Sequence, residues 1–246
     1  MQAKSSVLVV GGTSDIGRAT ALAYAQAGWD LTLAARDEAG VRRNADDIAT
    51  RFGLDVEIRS IDILDTAALT PFVDGLTRLP DTVICVVGQL GDQARAQSDL
   101  EHAAEVMRAN FEGPALLLGI FAERFQVRGS GTIVGVSSVA GDRGRASNYV
   151  YGAAKAGFTA FLSGLRNRLS GAGIRVVTVK PGFVRTRMTE GMKLPPLLTA
   201  EADEVGRAIF KAAETGGDVV YVRPIWRAVM TVIGAIPERV FKRLKL

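Results

Sequence analysis

Short apolar runs recur along the chain, separated by longer stretches whose apolar positions return every three or four residues. The short runs are Ser6–Val10, Asp30–Arg36, Thr82–Gly88, Thr132–Val136, Ile174–Val179 and Asp218–Val222, and Asp55–Ile61, more polar, reads as a further strand. Continuous apolar runs suit parallel strands whose two faces are both covered by helices. Helical spacing appears over Arg18–Ala27, Glu38–Phe52, Glu101–Arg128, Tyr151–Leu169 and Ala200–Glu214. Strand and helix alternate throughout, which predicts an α/β chain built on a doubly wound parallel sheet.

The first strand breaks into Gly11-Gly-Thr-Ser-Asp-Ile-Gly17 before its helix. A strand, glycine turn and helix in this order form the context in which backbone N–H groups and a helix N-terminus receive a dinucleotide pyrophosphate. Gly11, Thr13, Ser14, Asp15 and Ile16 are therefore candidate cofactor contacts. Asp15 is the awkward member, because a carboxylate beside phosphate is unfavourable. It is expected to turn away and cap the helix from its N-terminus. At the end of the second strand, where an NAD site carries an acid for the ribose 2′-hydroxyl, the chain has Ala35-Arg36. An arginine there accommodates a 2′-phosphate, so NADP is expected over NAD, although Asp37 and Glu38 leave an acid within reach.

A second constellation lies in Ser138-Val-Ala-Gly-Asp-Arg-Gly-Arg-Ala-Ser-Asn-Tyr-Val-Tyr151-Gly-Ala-Ala-Lys155. Tyr151 and Lys155 are one helical turn apart and share a face. An ammonium near a phenol is expected to lower its pKa from about 10, which would give a proton donor or acceptor usable near neutrality. Ser138, at a strand end, can hold an oxygen beside it. Tyr149 lacks a matching lysine, since Ala153 stands four residues on.

On these residues the chain resembles the short-chain dehydrogenase/reductase family, whose serine, tyrosine and lysine fall at Ser138, Tyr151 and Lys155. The resemblance runs over residues 6–222 and implies a Rossmann-type sheet of seven strands ordered 3-2-1-4-5-6-7. It departs from the family pattern at Asp15, which replaces a glycine, and at Cys85-Val-Val-Gly88, which keeps only the last residue of Asn-Asn-Ala-Gly. It further implies that Asp62 and Ile63 bond the adenine, that Gly88 lets backbone approach the cofactor, and that Tyr151 and Lys155 meet the nicotinamide ribose. Lys180-Pro181-Gly182-Phe-Val184-Arg-Thr186 would cover the nicotinamide, with Pro181, Gly182 and Val184 at the ring and Thr186 on phosphate. Asn110 would complete the catalytic set by anchoring a water that links Lys155 to solvent. Two of these residues have plainer readings: Asp62 as the start of the next helix, and Asn110 as a helix-bending core residue. Arg187–Pro196 reads as a lid with an adaptable apolar surface from Met188, Met192 and Leu194.

Composition excludes several classes. The only histidine, His102, and the only cysteine, Cys85, leave no metal site to expect and no internal disulfide. Cys85 lies in a strand pattern and reads as buried filling. No apolar run approaches the roughly 20 residues of a membrane span, and Met1–Ser6 shows no export signal, so the expected location is cytoplasmic. The net charge is +4, but Arg223–Leu246 holds six basic residues against Glu238 alone, so that segment is +5 and the remainder near −1. No nucleic-acid-reading motif accompanies it.

We therefore read residues 1–222 as the dinucleotide-binding and catalytic unit and 223–246 as its basic amphipathic extension. Trp226, Val229, Met230, Ile233 and Ile236 keep helical spacing. Such a segment either lies on an anionic membrane face, making the protein peripheral, or docks on its own subunit or a neighbour. With this tail, Gly91-Asp92, Asn148–Gly152 and Val184–Met188 narrow the resemblance to family members that reduce the 2-keto group of a polyprenyl-phosphoryl pentose. That branch implies a separate flavin-dependent oxidase partner for the preceding step. Family habit implies a homodimer or homotetramer. The rival readings are a ketoreductase for soluble ketones and a catalytically idle dinucleotide-binding partner subunit.

Overall fold

The computed structural model describes residues 4–244. Met1–Ala3, and Lys245 and Leu246 of the tail, lie outside the described residues. Strands β1 (Ser6–Val10), β2 (Asp30–Ala35), β3 (Val56–Ser60), β4 (Thr82–Cys85), β5 (Gly131–Val136), β6 (Ile174–Lys180) and β9 (Val219–Tyr221) form one parallel sheet. Its order is β3-β2-β1-β4-β5-β6-β9, the predicted order. The last strand is ninth in the chain because β7 (Phe183–Arg185) and β8 (Thr199–Glu201) pair separately, away from the main sheet.

The apolar runs behave as covered strands should. Val7 and Val9 pack into one layer, Leu8 and Val10 into the other, and all four are buried. The first layer is completed by helices α1 (Asp15–Gln26), α2 (Glu38–Phe52) and α8 (Ala202–Thr215), through Ala21, Tyr24, Val41, Ile48, Val205 and Ile209. The second is completed by α3 (Leu69–Asp74), α6 (Gly113–Arg128) and α7 (Tyr149–Leu169), through Leu69, Leu118, Phe121, Phe158 and Leu162. The chain runs outward from β1 through β2 and from β4 through β5 in opposite directions. Their carboxyl ends therefore splay around a crevice at the switch point, where open sheets of this kind bind ligands.

One predicted helix is broken. The stretch 101–128 is α5 (Leu100–Met107), a π-helical turn over Arg108–Glu112, then α6. Pro114 supplies the reason: it has no N–H to give the Asn110 carbonyl, so the α-pattern cannot run through. Between β4 and α5 lies the short helix α4 (Gln93–Ala96).

The tail folds onto the body. Helix α9 (Ile225–Ala235) buries Trp226 and Met230 against Val139, Phe183, Leu198 and Tyr221, and Val229 and Ile233 lie against the same cluster. After it, α10 (Glu238–Phe241) is held by Arg143, which pairs with Glu238 at 2.7 Å and covers the Phe241 ring at 4.1 Å. Of the apolar stripe, Trp226, Val229, Met230 and Ile233 are thus packed against the body of the protein, the docked arrangement. Among the described residues no helix is long and apolar enough to cross a membrane.

Candidate active site

Two cavities meet along the carboxyl ends of the strands and share Val86, Val87 and Gly88. The first, about 230 Å³, is lined by Gly11, Thr13, Ser14, Arg36, Ile63 and Gly88, among others. The second, about 150 Å³, gathers Ile16, Ser138, Tyr151, Lys155, Pro181, Gly182, Val184 and Thr186. Most of the predicted site residues therefore face one continuous cleft. Asp15, Asp62 and Asn110 line neither cavity.

The glycine turn is suited to a large anionic ligand. Gly11 takes φ +95°, and a Cβ there would come within 2.9 Å of Val86 Cγ2. The cap of α1 is Ser14, not Asp15: Ser14 Oγ accepts from the Gly17 N–H at 3.0 Å and donates to the Gly11 carbonyl at 2.8 Å. Asp15, expected to cap, instead grips the lid. Its carboxylate accepts from the Arg187 backbone N–H at 2.7 Å and from Arg187 Nε at 3.0 Å, while Arg187 Nη2 also donates to the Thr13 carbonyl. The physical reason is competition: the serine one residue earlier already fills the cap position. The negative charge is turned out of the cleft and neutralised.

Arg36 stands at the far end of the first cavity, exposed, 4.0 Å from Asp62 Oδ2. Asp62 accepts from the Leu64 N–H at 2.9 Å, so it ties its own turn, while Ile63 faces the cavity. These two neighbours fit a nucleotide whose ribose carries a phosphate: the exposed guanidinium is only loosely held at 4.0 Å.

At the other end, the close of β5 and the start of α7 set the polar groups. Ser137 Oγ donates to the Lys155 carbonyl at 3.0 Å and meets Thr159 Oγ1 at 2.7 Å, locking α7 to the strand. Ser138 accepts from the Ala140 N–H at 3.1 Å, and its hydroxyl faces the same cavity as the Tyr151 phenol. Lys155 is buried and donates to the Val136 carbonyl at 3.1 Å, its Nζ 5.8 Å from the Tyr151 ring centroid. Asn110 is fully buried at the π-turn; its amide donates to the carbonyls of Gln89 (2.7 Å) and Val106 (2.8 Å) and accepts from the Gln89 N–H (3.3 Å). Gly88 keeps these groups together: a Cβ there would sit 2.6 Å from Asn110 Oδ1 and 3.1 Å from Lys155 Nζ.

The electrostatics correct one expectation. Burial raises the Tyr151 pKa above its ordinary value, against the pull of the Ser138 hydroxyl, and the Lys155 ammonium is not among the charges that move it. Burial also pulls Lys155 from 10.5 down to about 8. Both groups lose water in the same pocket, and that loss sets the direction of both shifts. The result is a phenol that holds its proton at neutral pH, the state a proton donor needs.

Several residues at or beside the cleft were not among the expected site residues. Trp226, from the tail, lines the second cavity and donates to the Leu198 carbonyl at 3.0 Å. Arg223, at φ 61°, donates to the carbonyls of Pro196 (3.1 Å) and Leu197 (3.0 Å), so the lid is fastened at its far end too. Arg145 and Asn148 also face the pocket. Cys85 is buried, its thiol pushed up to about 11, and His102 accepts from the Asp92 N–H at 3.0 Å, a local loop tie. Among the described residues no group of side chains could hold a metal ion.

Comparison with known proteins agrees with this layout. A family model described as short chain dehydrogenase matches residues 5–195. An uncharacterized oxidoreductase of Mycobacterium tuberculosis is 36% identical over 241 residues, covering 97% of this chain and 96% of its own. A short-chain dehydrogenase from Sphingobium yanoikuyae, solved in complex with NADPH, superposes with a TM-score of 0.81 at 26% identity, covering 95% of this chain and 97% of that one. A putative NAD(P)-dependent gluconate 5-dehydrogenase from Beutenbergia cavernae, with bound NADP, gives 0.82 at 27% identity, covering 92% and 98%.

Proposed function

The chain belongs to the short-chain dehydrogenase family, and from that premise we propose that it is an NADPH-dependent ketoreductase. The observation that carries the reading is the single cleft that joins Arg36 at one end to Ser138, Tyr151 and Lys155 at the other. The neighbours crystallised with NADPH or NADP support the cofactor.

Gly11, Thr13, Ser14 and Ile16 would receive the pyrophosphate, Arg36 the 2′-phosphate, and Ile63 the adenine, with Asp62 behind it. Gly88, Pro181, Gly182, Val184 and Thr186 would border the nicotinamide half, and Tyr151 and Lys155 its ribose. When bound, NADPH supplies the hydride that reaches the carbonyl carbon. Tyr151 gives its proton to the carbonyl oxygen, and the Ser138 hydroxyl holds that oxygen in place. Lys155 hands a proton back to Tyr151, with Asn110 maintaining the route to solvent. Asp15 contributes indirectly, by tying the lid base to the glycine turn.

The finer reading is a decaprenylphosphoryl-2-keto-ribose reductase, acting on a pentose that a flavin-dependent oxidase has already oxidised. Residues 1–222 would then be the catalytic unit and the extension at 223–246 its contact with an anionic membrane face. The apolar lid residues Met188 and Met192 at the mouth, both exposed, support a greasy substrate. A ketoreductase for water-soluble ketones is the second reading. It is favoured by the packing of Trp226 and Met230 into the body, which gives the tail a structural task of its own.

Turnover tests both. NADPH oxidation is followed with a polyprenyl-phosphoryl-2-keto-pentose in vesicles beside a panel of soluble ketones. Preference for the lipid-linked ketose upholds the finer reading, preference for soluble ketones replaces it with the second, and no oxidation with any ketone removes the enzyme reading.

A further inference from the structure

Arg145 sits in the loop between Ser138 and Tyr151 and lines the same cavity as both. It is half-buried, and its Nε is shut off from water with no hydrogen-bond partner. Its backbone, not its side chain, makes its local contact, accepting from the Asn148 N–H at 3.1 Å. No ion pair among the described residues includes its guanidinium.

The neighbouring charges explain why. The nearest acid, Asp142, is already shared between Lys180 Nζ on one oxygen and the Tyr221 hydroxyl, at 2.9 Å, on the other. It reaches Arg145 only through space, and burial lowers the arginine's hold on its proton against that pull. Arg143, two residues earlier, is the structural arginine of the loop: it takes the carbonyls of Gly234 and Ile236 and the carboxylate of Glu238. Arg145 has no such duty.

The cavity therefore presents two cations, Lys155 and Arg145, and no carboxylate among its lining side chains. Lys155 is held inward by the Val136 carbonyl, beneath the reacting groups. A partly desolvated guanidinium without an acid is costly, and a built site pairs such a group with a ligand. Asn148 Oδ1, also lining the cavity and also unpaired, adds an acceptor suited to a hydroxyl.

We propose that Arg145 is a specificity-determining residue that binds a phosphate group on the ketone substrate, with Asn148 accepting from a neighbouring substrate hydroxyl. The proposal rests on the ketoreductase reading of this pocket and names the substrate class within it: a hydroxylated ketone that carries a phosphate. A planar guanidinium can give two parallel N–H donors to such an oxyanion, which a lysine cannot reproduce. The phosphate could belong to a soluble sugar phosphate or to a lipid-linked phosphodiester, and the pocket chemistry is shared by both.

The test separates this inference from the reading beneath it. Dimethyl phosphate serves as the probe, titrated into the NADP-saturated protein so that the cofactor's own phosphate sites are filled. Wild type is expected to bind it, and Arg145→Gln to weaken binding roughly 10- to 100-fold, the loss expected for a charge-assisted pair. Arg145→Lys should recover part of that loss. NADPH titration of each variant reports that the fold is intact. Equal affinity in wild type and Arg145→Gln overturns the proposal, whether or not any ketone is reduced. In turnover, Arg145→Gln should raise KM for a phosphorylated 2-ketopentose far more than for the unphosphorylated sugar, with a smaller change in kcat. An identical KM shift for both sugars also overturns it. A soluble phosphodiester and its polyprenyl counterpart in vesicles form the two source arms; dependence on Arg145 in either arm upholds the phosphate contact, and in neither defeats it. If no ketone turns over, the ketoreductase reading falls while the probe titration still judges Arg145.

Discussion

Replacing Asp15 by alanine should loosen the lid without touching the groups that move protons. The carboxylate makes two hydrogen bonds across the chain, to the Arg187 N–H at 2.7 Å and Nε at 3.0 Å. The Arg187 side chain is 70% exposed and Asp15 30%, so the ion-pair component is screened and contributes only about 0.5–1 kcal/mol. The bond from the backbone N–H to an ionised acceptor adds about 1.5 kcal/mol, giving about 2 kcal/mol of lid order in all. If cofactor binding requires the ordered lid, apparent affinity falls by the fraction of competent lid lost, at most about 30-fold. The assay is NADPH fluorescence titration of wild type, Asp15→Ala, Arg187→Ala and the double variant, with limited proteolysis of residues 187–196. Asp15→Ala should weaken NADPH by roughly 5- to 30-fold and expose the lid to protease. The double-variant cycle should return a coupling of about 0.5–1 kcal/mol, because only the side-chain pair is common to both single changes. Wild-type affinity and wild-type proteolysis in Asp15→Ala would refute the reasoning, and so would a coupling of zero.

Tyr151→Phe should lose most of its turnover, at least about 100-fold, while NADPH affinity stays within about twofold in a fluorescence titration; an active Phe variant defeats the proton-donor role. Arg36→Ala should cut the NADPH-over-NADH preference in kcat/KM by roughly tenfold or more, and an unchanged preference rejects Arg36 as the 2′-phosphate partner. With Tyr151 held protonated by burial and Lys155 at about 8, kcat/KM for ketone reduction should be level at neutral pH and fall as pH rises through about 8; a rate that climbs from pH 7 to 9 contradicts it. The same shift has a stability sign. Lys155 binds its proton more weakly folded than unfolded, so it opposes folding below about pH 8 by up to about 3 kcal/mol, and that penalty fades as pH rises toward 10.5. Trp226→Ala, which empties a site packed against Phe183 and Val139, should cost about 3–5 kcal/mol in denaturant unfolding and should also lower turnover. An effect on membrane flotation alone, with stability unchanged, would restore the tail as a surface anchor.

Much of the architecture could be read from residue patterns because local rules and burial agree there. Continuous apolar runs at β1, β4 and β6 have one stable place, in a sheet covered on both faces, and Gly11–Gly17 can follow such a strand only as a tight turn into a helix. The spacing of Tyr151 and Lys155 places them on one helical face whatever the rest of the chain does. The direction of a pKa is another matter. It depends on how much water each group loses, and that is not encoded in a four-residue interval. Asp15 could not be read correctly for a similar reason: its partner Arg187 is distant in the chain, and only the closed fold puts them within 3 Å. The tail shows the same division. Its sequence determined an amphipathic helix, because apolar positions at helical spacing must hide one face from water; whether lipid or protein hides that face was decided by the pocket left open beside Val139, Phe183 and Leu198. Arg145 stands on the far side of that line. A lone arginine in a polar loop is a solvated charge until tertiary packing strips its water and gives the nearby acid to Lys180 and Tyr221.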